Sequence, residues 1–96
     1  MNEAYSMTKA AVAVPARGLA IDFAPRGITV NTIQPGPTET DMNPGDGPLS
    51  DVIKSLVPLK RLGKAEEVAS MVAFVASPEA SFVTGAALSV DGGYLA

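Results

Sequence analysis

A tyrosine stands four residues ahead of a lysine in "AYSMTKAAV" (4–12), at the start of the chain. Residues at i and i+4 of a helix lie one turn apart on the same face, so Tyr5 and Lys9 can bring a phenol and an ammonium to one point. Such a pair serves chemistry or simply lines a solvated helix face, and the spacing alone leaves both open. The 96 residues contain no histidine and no cysteine. That excludes disulfides, thiolate nucleophiles and cysteine-ligated zinc, and it removes the commonest general base and metal ligand. Tyrosine, lysine, carboxylates and hydroxyls remain as candidate reactive groups.

The elements that must position them follow from pattern. Residues 3–24 read as an alanine-rich helix with Val12, Leu19, Ile21 and Phe23 as its larger apolar groups, ending at Pro25-Arg26-Gly27. Pro15 falls inside it, where it removes the hydrogen bond to the Ala11 carbonyl at a cost of about 3 kcal/mol unless the helix kinks. "GITVNTIQPG" (27–36), with β-branched Ile28, Val30 and Ile33, predicts a short strand buried on both faces and closed by a Pro35-Gly36 turn. Residues 37–63 read as irregular, with one short helix over Leu49 to Leu56; a connection this long in a small domain is usually a lid or binding loop. "GDGPLS" (45–50) belongs to that lid, because no strand precedes it and a nucleotide-loop glycine is replaced by Ser50. "AEEVASMVAFVA" (65–76) predicts a helix that opens on two glutamates and stops at Ser77-Pro78. "TGAALSVDGG" (84–93) carries a strand near Ala86 to Val90, ended by Asp91-Gly92-Gly93.

The order helix, strand, lid, helix, strand contains a right-handed βαβ unit with parallel strands, the building block of doubly wound α/β sheets. Two strands make too small a sheet for two helices and leave strand edges unpaired, so the pattern predicts the end of a larger sheet. Composition agrees with a folded chain: 47% hydrophobic and 18% charged residues are ordinary for a globular protein. A chain this short buries only about 60 to 70% of its unfolded surface, and without disulfides its stability is marginal. A net charge of −3 with scattered basic residues argues against nucleic acid or an anionic membrane as partner. The longest uninterrupted apolar run, Met71 to Ala76, falls far short of the ~20 residues that a membrane span needs. No targeting segment, repeat or linker is evident, and a cytoplasmic location is expected.

Tyr5-x-x-x-Lys9, "RGITVNTIQPGPTETDM" (26–42) and "RLGKAEEVASMVAFVASPEASFVTGAALSVDGGY" (61–94) together resemble the C-terminal part of the short-chain dehydrogenase/reductase superfamily, closest to 3-oxoacyl-acyl-carrier-protein-reductase-like members. The likeness covers nearly the whole chain. It implies an α/β fold class, with residues 1–96 forming a single partial domain from the C-terminal part of a doubly wound Rossmann-type parallel sheet, without the N-terminal dinucleotide-binding half. The implied chemistry is hydride transfer between NAD or NADP and a carbonyl or hydroxyl carbon. Tyr5 would donate or accept the hydroxyl proton; a free phenol ionises near ~10, and a cation one helical turn away favours the phenolate. Lys9 would be that cation and would also hydrogen-bond the nicotinamide ribose.

The resemblance further implies that Pro35-Gly36 turns beside the nicotinamide, that glycine there lets the backbone approach the ring, and that the main chain near Thr38 meets the carboxamide. Thr40 would reach the pyrophosphate. Asn31 and Thr32 would serve the strand, while Arg61, Gly63, Glu66 and Glu67 would shape the entry to the last helix. The family's glycine-rich turn, catalytic serine and asparagine have no counterpart here, and Ser6, about 100° around the helix from Tyr5, is a poor substitute. Two expectations follow: a catalytic C-terminal part of an NAD(P)-dependent oxidoreductase, inactive when isolated, or a non-catalytic module. The expected partners are a small carbonyl or hydroxyl substrate and a second copy or a full-length relative.

Overall fold

The computed structural model describes residues 16–40 and 45–96. Tyr5, Ser6, Lys9 and Pro15 therefore lie outside the described residues. A helical stretch over 16–23 (α1) leads through a 3-10 turn, Ala24–Arg26, to β1, Thr32–Pro35. Helices α2, Pro48–Leu56, and α3, Ala65–Val75, follow, then a second 3-10 turn, Pro78–Ala80, and β2, Ala87–Val90. The strands pair in one sheet. Thr32 N–H donates to Ala86 O at 2.9 Å and Gly36 N–H to Val90 O at 3.0 Å. Both chains thus advance in the same direction along the ladder, and the pairing is parallel.

By internal contacts the chain divides into two compact units, Met1–Gln34 with Phe74–Leu88 and Pro35–Ala73 with Ser89–Ala96. In the first, Ala16 and Ala20 lie one turn apart on the buried face of α1. The helix ends in a Schellman arrangement: Gly27 takes a left-handed φ of 71°, its N–H donates to Ala24 O at 3.0 Å, and Ile28 N–H reaches back to Phe23 O at 3.4 Å. The chain then enters β1 on side-chain bonds. Asn31 Nδ2 donates to Val83 O at 3.1 Å, its Oδ1 accepts from Ala86 N–H at 3.1 Å, and Val30 N–H donates to Thr84 Oγ1 at 3.0 Å.

These bonds explain a difference from the expected strand. Val30 O still accepts from Gly85 N–H at 2.7 Å, but the Asn31 side chain takes the Ala86 N–H, so the ladder starts only at Thr32 and β1 is shorter than the pattern of Ile28, Val30 and Ile33 suggests. It is not buried on both faces either: Thr32 to Gln34 are half-buried and Pro35 is exposed. Pro35 belongs to the strand, which it can do because Thr32 and Gly36 place their N–H groups toward β2, so by alternation position 35 faces away from β2 and no bond to β2 is lost there.

In the second unit, α2 begins behind Gly47, whose φ is 92°, with Pro48 in its first turn and Asp51 N–H donating to Gly47 O at 3.1 Å. Ser50 and Val57, seven residues apart, are buried, whereas Leu49, Val52 and Leu56 on the other face are 73%, 57% and 59% exposed. The helix stops where Val57 turns extended, and Lys60 Nζ donates to the Ser55 carbonyl at 2.9 Å. Val57 and Leu62 are the buried apolar residues of this unit among the described residues.

Candidate functional site

The segment that leaves β1, Pro35 to Thr40, carries four of the residues singled out in the sequence. Gly63 N–H donates to Pro37 O and Glu39 N–H donates to Gly63 O, each at 2.8 Å. Together these bonds form a parallel bridge between Thr38 and Gly63. In such a bridge the residues on either side of Thr38 carry the bonds, so the N–H and C=O of Thr38 itself face away from Gly63. The Thr38 hydroxyl is turned back to its own chain, donating to Gly36 O at 2.8 Å. Thr38 therefore presents a main-chain donor and acceptor side by side, while its side chain stiffens the turn. Thr40 is exposed and already engaged.

Gly36 has a packing reason for being glycine. A Cβ there would lie 2.5 Å from Asp91 Cβ and 2.8 Å from Asp91 Cα. The end of β2 occupies that space, so the close approach is to the chain's own backbone. Asp91 in turn organises the terminal turn, its Oδ1 accepting from Gly93 N–H at 2.9 Å and its Oδ2 from Leu95 N–H at 3.2 Å. Gly92 and Gly93, at φ 62° and 89°, leave extended backbone and end the strand, and a Cβ on Gly92 would lie 2.9 Å from Val57 Cγ1.

Sequence reasoning placed Arg61, Gly63, Glu66 and Glu67 at the entry to α3; the structure separates them. The Arg61 guanidinium is bidentate on Glu67, Nη1 to Oε1 at 2.7 Å and Nη2 to Oε2 at 2.9 Å. Glu67 Oε1 also accepts from Lys64 N–H at 2.9 Å, the reciprocal half of a capping box with Lys64 at the N-cap and Glu67 at the third helical position. The bond from Arg61, followed by the Lys64 N–H, pulls the Glu67 carboxyl from 4.5 down to about 2. The bond to Glu67 and that residue's charge raise Arg61 in return, with a smaller contribution from Glu39. A Cβ on Gly63 would make ordinary contacts, the nearest atom being Pro37 O at 3.6 Å. The role of Gly63 is the bridge to Thr38, not a tight entry.

Beside this clamp lies a hollow of about 560 Å³, lined by Pro58, Leu59, Arg61, Gly63, Glu67, Val68 and residues 89–93. Among the described residues no cluster of acidic side chains could hold a metal ion, and no helix is long and apolar enough to cross a membrane.

Comparison with known proteins agrees with this architecture. The family model for enoyl-(acyl carrier protein) reductase matches residues 1–95. The cyclic-di-GMP-binding biofilm dispersal mediator protein of Escherichia coli is 57% identical over 91 residues, 95% of this chain and 38% of that protein. The 3-oxoacyl-acyl-carrier-protein reductase FabG of Salmonella typhimurium is 48% identical over 93 residues, 93% of this chain and 37% of that protein. Among solved structures, a short-chain dehydrogenase/reductase from Serratia marcescens superposes with a TM-score of 0.89 at 49% identity, over 96% of this chain and 38% of its own. BdcA in complex with NADPH superposes with a TM-score of 0.84 at 57% identity, over 95% of this chain and 37% of its own. The chain belongs to the short-chain dehydrogenase/reductase superfamily, whose members depend on NAD(P), and its fold is that of the C-terminal part of their Rossmann-type sheet. It spans less than two fifths of the length of the relatives it matches.

Proposed function

We propose that these 96 residues are the catalytic C-terminal part of a cytoplasmic NAD(P)-dependent oxidoreductase that interconverts a carbonyl and an alcohol. The nicotinamide supplies or accepts the hydride when bound. Tyr5 holds the proton that moves to or from the substrate oxygen, and Lys9, four residues on in sequence, stabilises the phenolate and orients the ribose. Pro35 and Gly36 carry the chain past the ring, Thr38 meets the carboxamide through its main chain, and Thr40 lies toward the pyrophosphate. The observation that carries this reading is the Thr38–Gly63 bridge. It leaves on Thr38 an N–H donor and a C=O acceptor, the complement of a primary carboxamide, which has one acceptor and two donors.

In a protein carrying this sequence together with a dinucleotide-binding half, Tyr5→Phe is expected to lower carbonyl reduction by at least ~10²-fold with little effect on cofactor affinity, and Lys9→Ala to impair both. Retention of most turnover by Tyr5→Phe would refute the proton donor. A second reading, a non-catalytic module that docks on a full-length relative or on a second copy, is favoured by α3, none of whose residues is buried despite its apolar sequence. Under either reading residues 1–96 form one partial domain, and the chain by itself should not turn over, because orientation of both reactants is worth ~7 to 11 kcal/mol and the cofactor has only part of its seat here. Saturable NADPH oxidation by the 96-residue chain with any ketone would overturn that expectation and the module reading with it.

A further inference from the structure

The bonds around Gly63 form a relay. Glu67 holds Arg61 through two hydrogen bonds and Lys64 N–H through a third. Arg61 Nη1 also donates to Leu62 O at 3.1 Å. Arg61 and Lys64 are thus held on one carboxylate and Leu62 is held through Arg61, and Gly63, between them, makes both main-chain bonds to Pro37 and Glu39. We infer that Arg61 and Glu67 are positioning residues for the cofactor-side segment, fixing Thr38 through the backbone of Gly63. This rests on the reading of Thr38 given under Proposed function.

Glu66 provides the contrast. It shares the first turn of α3 and its charge, and it has the same helix-dipole role, yet only its main-chain carbonyl is engaged, by Ser70 Oγ at 2.8 Å. A dipole function would let either glutamate matter to the helix; only Glu67 is bonded to the segment that carries Gly63. Arg61 and Glu67 are both solvent-exposed in part, at 49% and 41% of their side chains. An exposed pair contributes little stability as a rule, so its consequence here is geometric. The groups facing it are Lys64 and Glu39, whose charges act on Glu67 and Arg61 respectively.

The test uses amide hydrogen exchange and NADPH affinity in one protein, a dinucleotide-binding half fused to this sequence, comparing wild type with Glu67→Gln, Arg61→Ala, Arg61→Lys and Glu66→Gln. Loss of the clamp should speed exchange at Gly63 and Glu39 by about tenfold or more while Thr32, bonded to Ala86, is unchanged. The NADPH dissociation constant should rise by about 5-fold or more, the low end of ordinary coupling between sites, and Arg61→Lys should recover part of both effects. Glu66→Gln should behave as wild type. Faster exchange confined to Glu67 and Val68, whose amides bond to Lys64 O, would reduce Glu67 to a helix cap and overturn the inference. Intact NADPH affinity in Glu67→Gln with Gly63 and Glu39 deprotected would overturn the link to the cofactor. Failure of the wild type to bind NADPH would instead refute the reading of Thr38, and the exchange data would still decide whether the clamp holds residues 37–39.

Discussion

Two parts of the second unit treat their surroundings in opposite ways. Around Gly63 and Asp91, polar groups are spent on near neighbours. Two main-chain bonds join Gly63 to Pro37 and Glu39, both Asp91 oxygens cap the last turn, and Gly36 and Gly92 leave no room for a side chain. On α2, by contrast, Leu49, Val52 and Leu56 form an exposed apolar face, and α3 buries none of its residues. The difference teaches which parts of a fold are self-contained. A turn or a capping clamp closes over few residues and satisfies itself; a helix apolar around much of its circumference is satisfied only by another element packed against it.

Gly36 is the position in this self-contained part that is most sensitive to crowding. Gly36→Ala puts a methyl 2.5 Å from Asp91 Cβ, next to backbone that cannot swing aside, and should cost about 1–3 kcal/mol by overpacking. Gly18→Ala, with nothing within 4 Å in exposed α1, should instead gain about 0.5–1 kcal/mol. Urea unfolding of the chain measures both, and equal midpoints would mean that the Asp91 contact yields freely.

The apolar faces predict association. Burying one leucine is worth about 1.5–3 kcal/mol, so at micromolar concentrations sedimentation equilibrium should show species heavier than the 9.8 kDa chain. Leu56→Lys should weaken that association by about tenfold or more, since the leucine's burial is lost and a charge must be desolvated. A monomer with a sharp cooperative melt would show that these faces need no partner.

The smallest effect expected is on pH. Glu67 is held at about 2 against an ordinary 4.5. Between those values the unfolded chain binds the extra proton, so stability rises with pH across the window. The clamp's contribution is complete above 4.5 and lost as pH falls through about 2. Because both side chains are exposed, the change in stability should be slight, and the titration of the Glu67 carboxyl by NMR is the better measure. A midpoint near 4.5 would show the Arg61 pairing to be absent in solution.

Much of this architecture was legible in the residues. The short helix expected over Leu49 to Leu56, the two glutamates opening α3 and the stop at Ser77-Pro78 all announce themselves, and each boundary falls within one residue of the pattern. The capping-box spacing of Lys64 and Glu67, with Arg61 three residues earlier, was a readable signal for the clamp. Composition and dipole arguments alone make Glu66 and Glu67 look alike. β1 was less legible, because the β-branched Ile28 and Val30 suggest ladder where the Asn31 and Thr84 side chains make most of the bonds, beside the one main-chain bond from Gly85 to Val30.

What the sequence determined by itself is therefore local: where helices begin and end, and the motif order that marks the family. These depend on bonds between residues three to five apart, which periodicity and caps report directly. Tertiary structure alone decided that Gly36 is glycine because of Asp91, that Gly63 serves Thr38, and that Asn31 bridges Val83 and Ala86. Those partners come from distant parts of the chain. The parallel pairing of β1 with β2 brings Asp91 and Asn31 to theirs, and the Arg61–Glu67 clamp beside α3 sets Gly63 against Thr38. No local pattern of residue types records which atoms meet when a chain closes on itself.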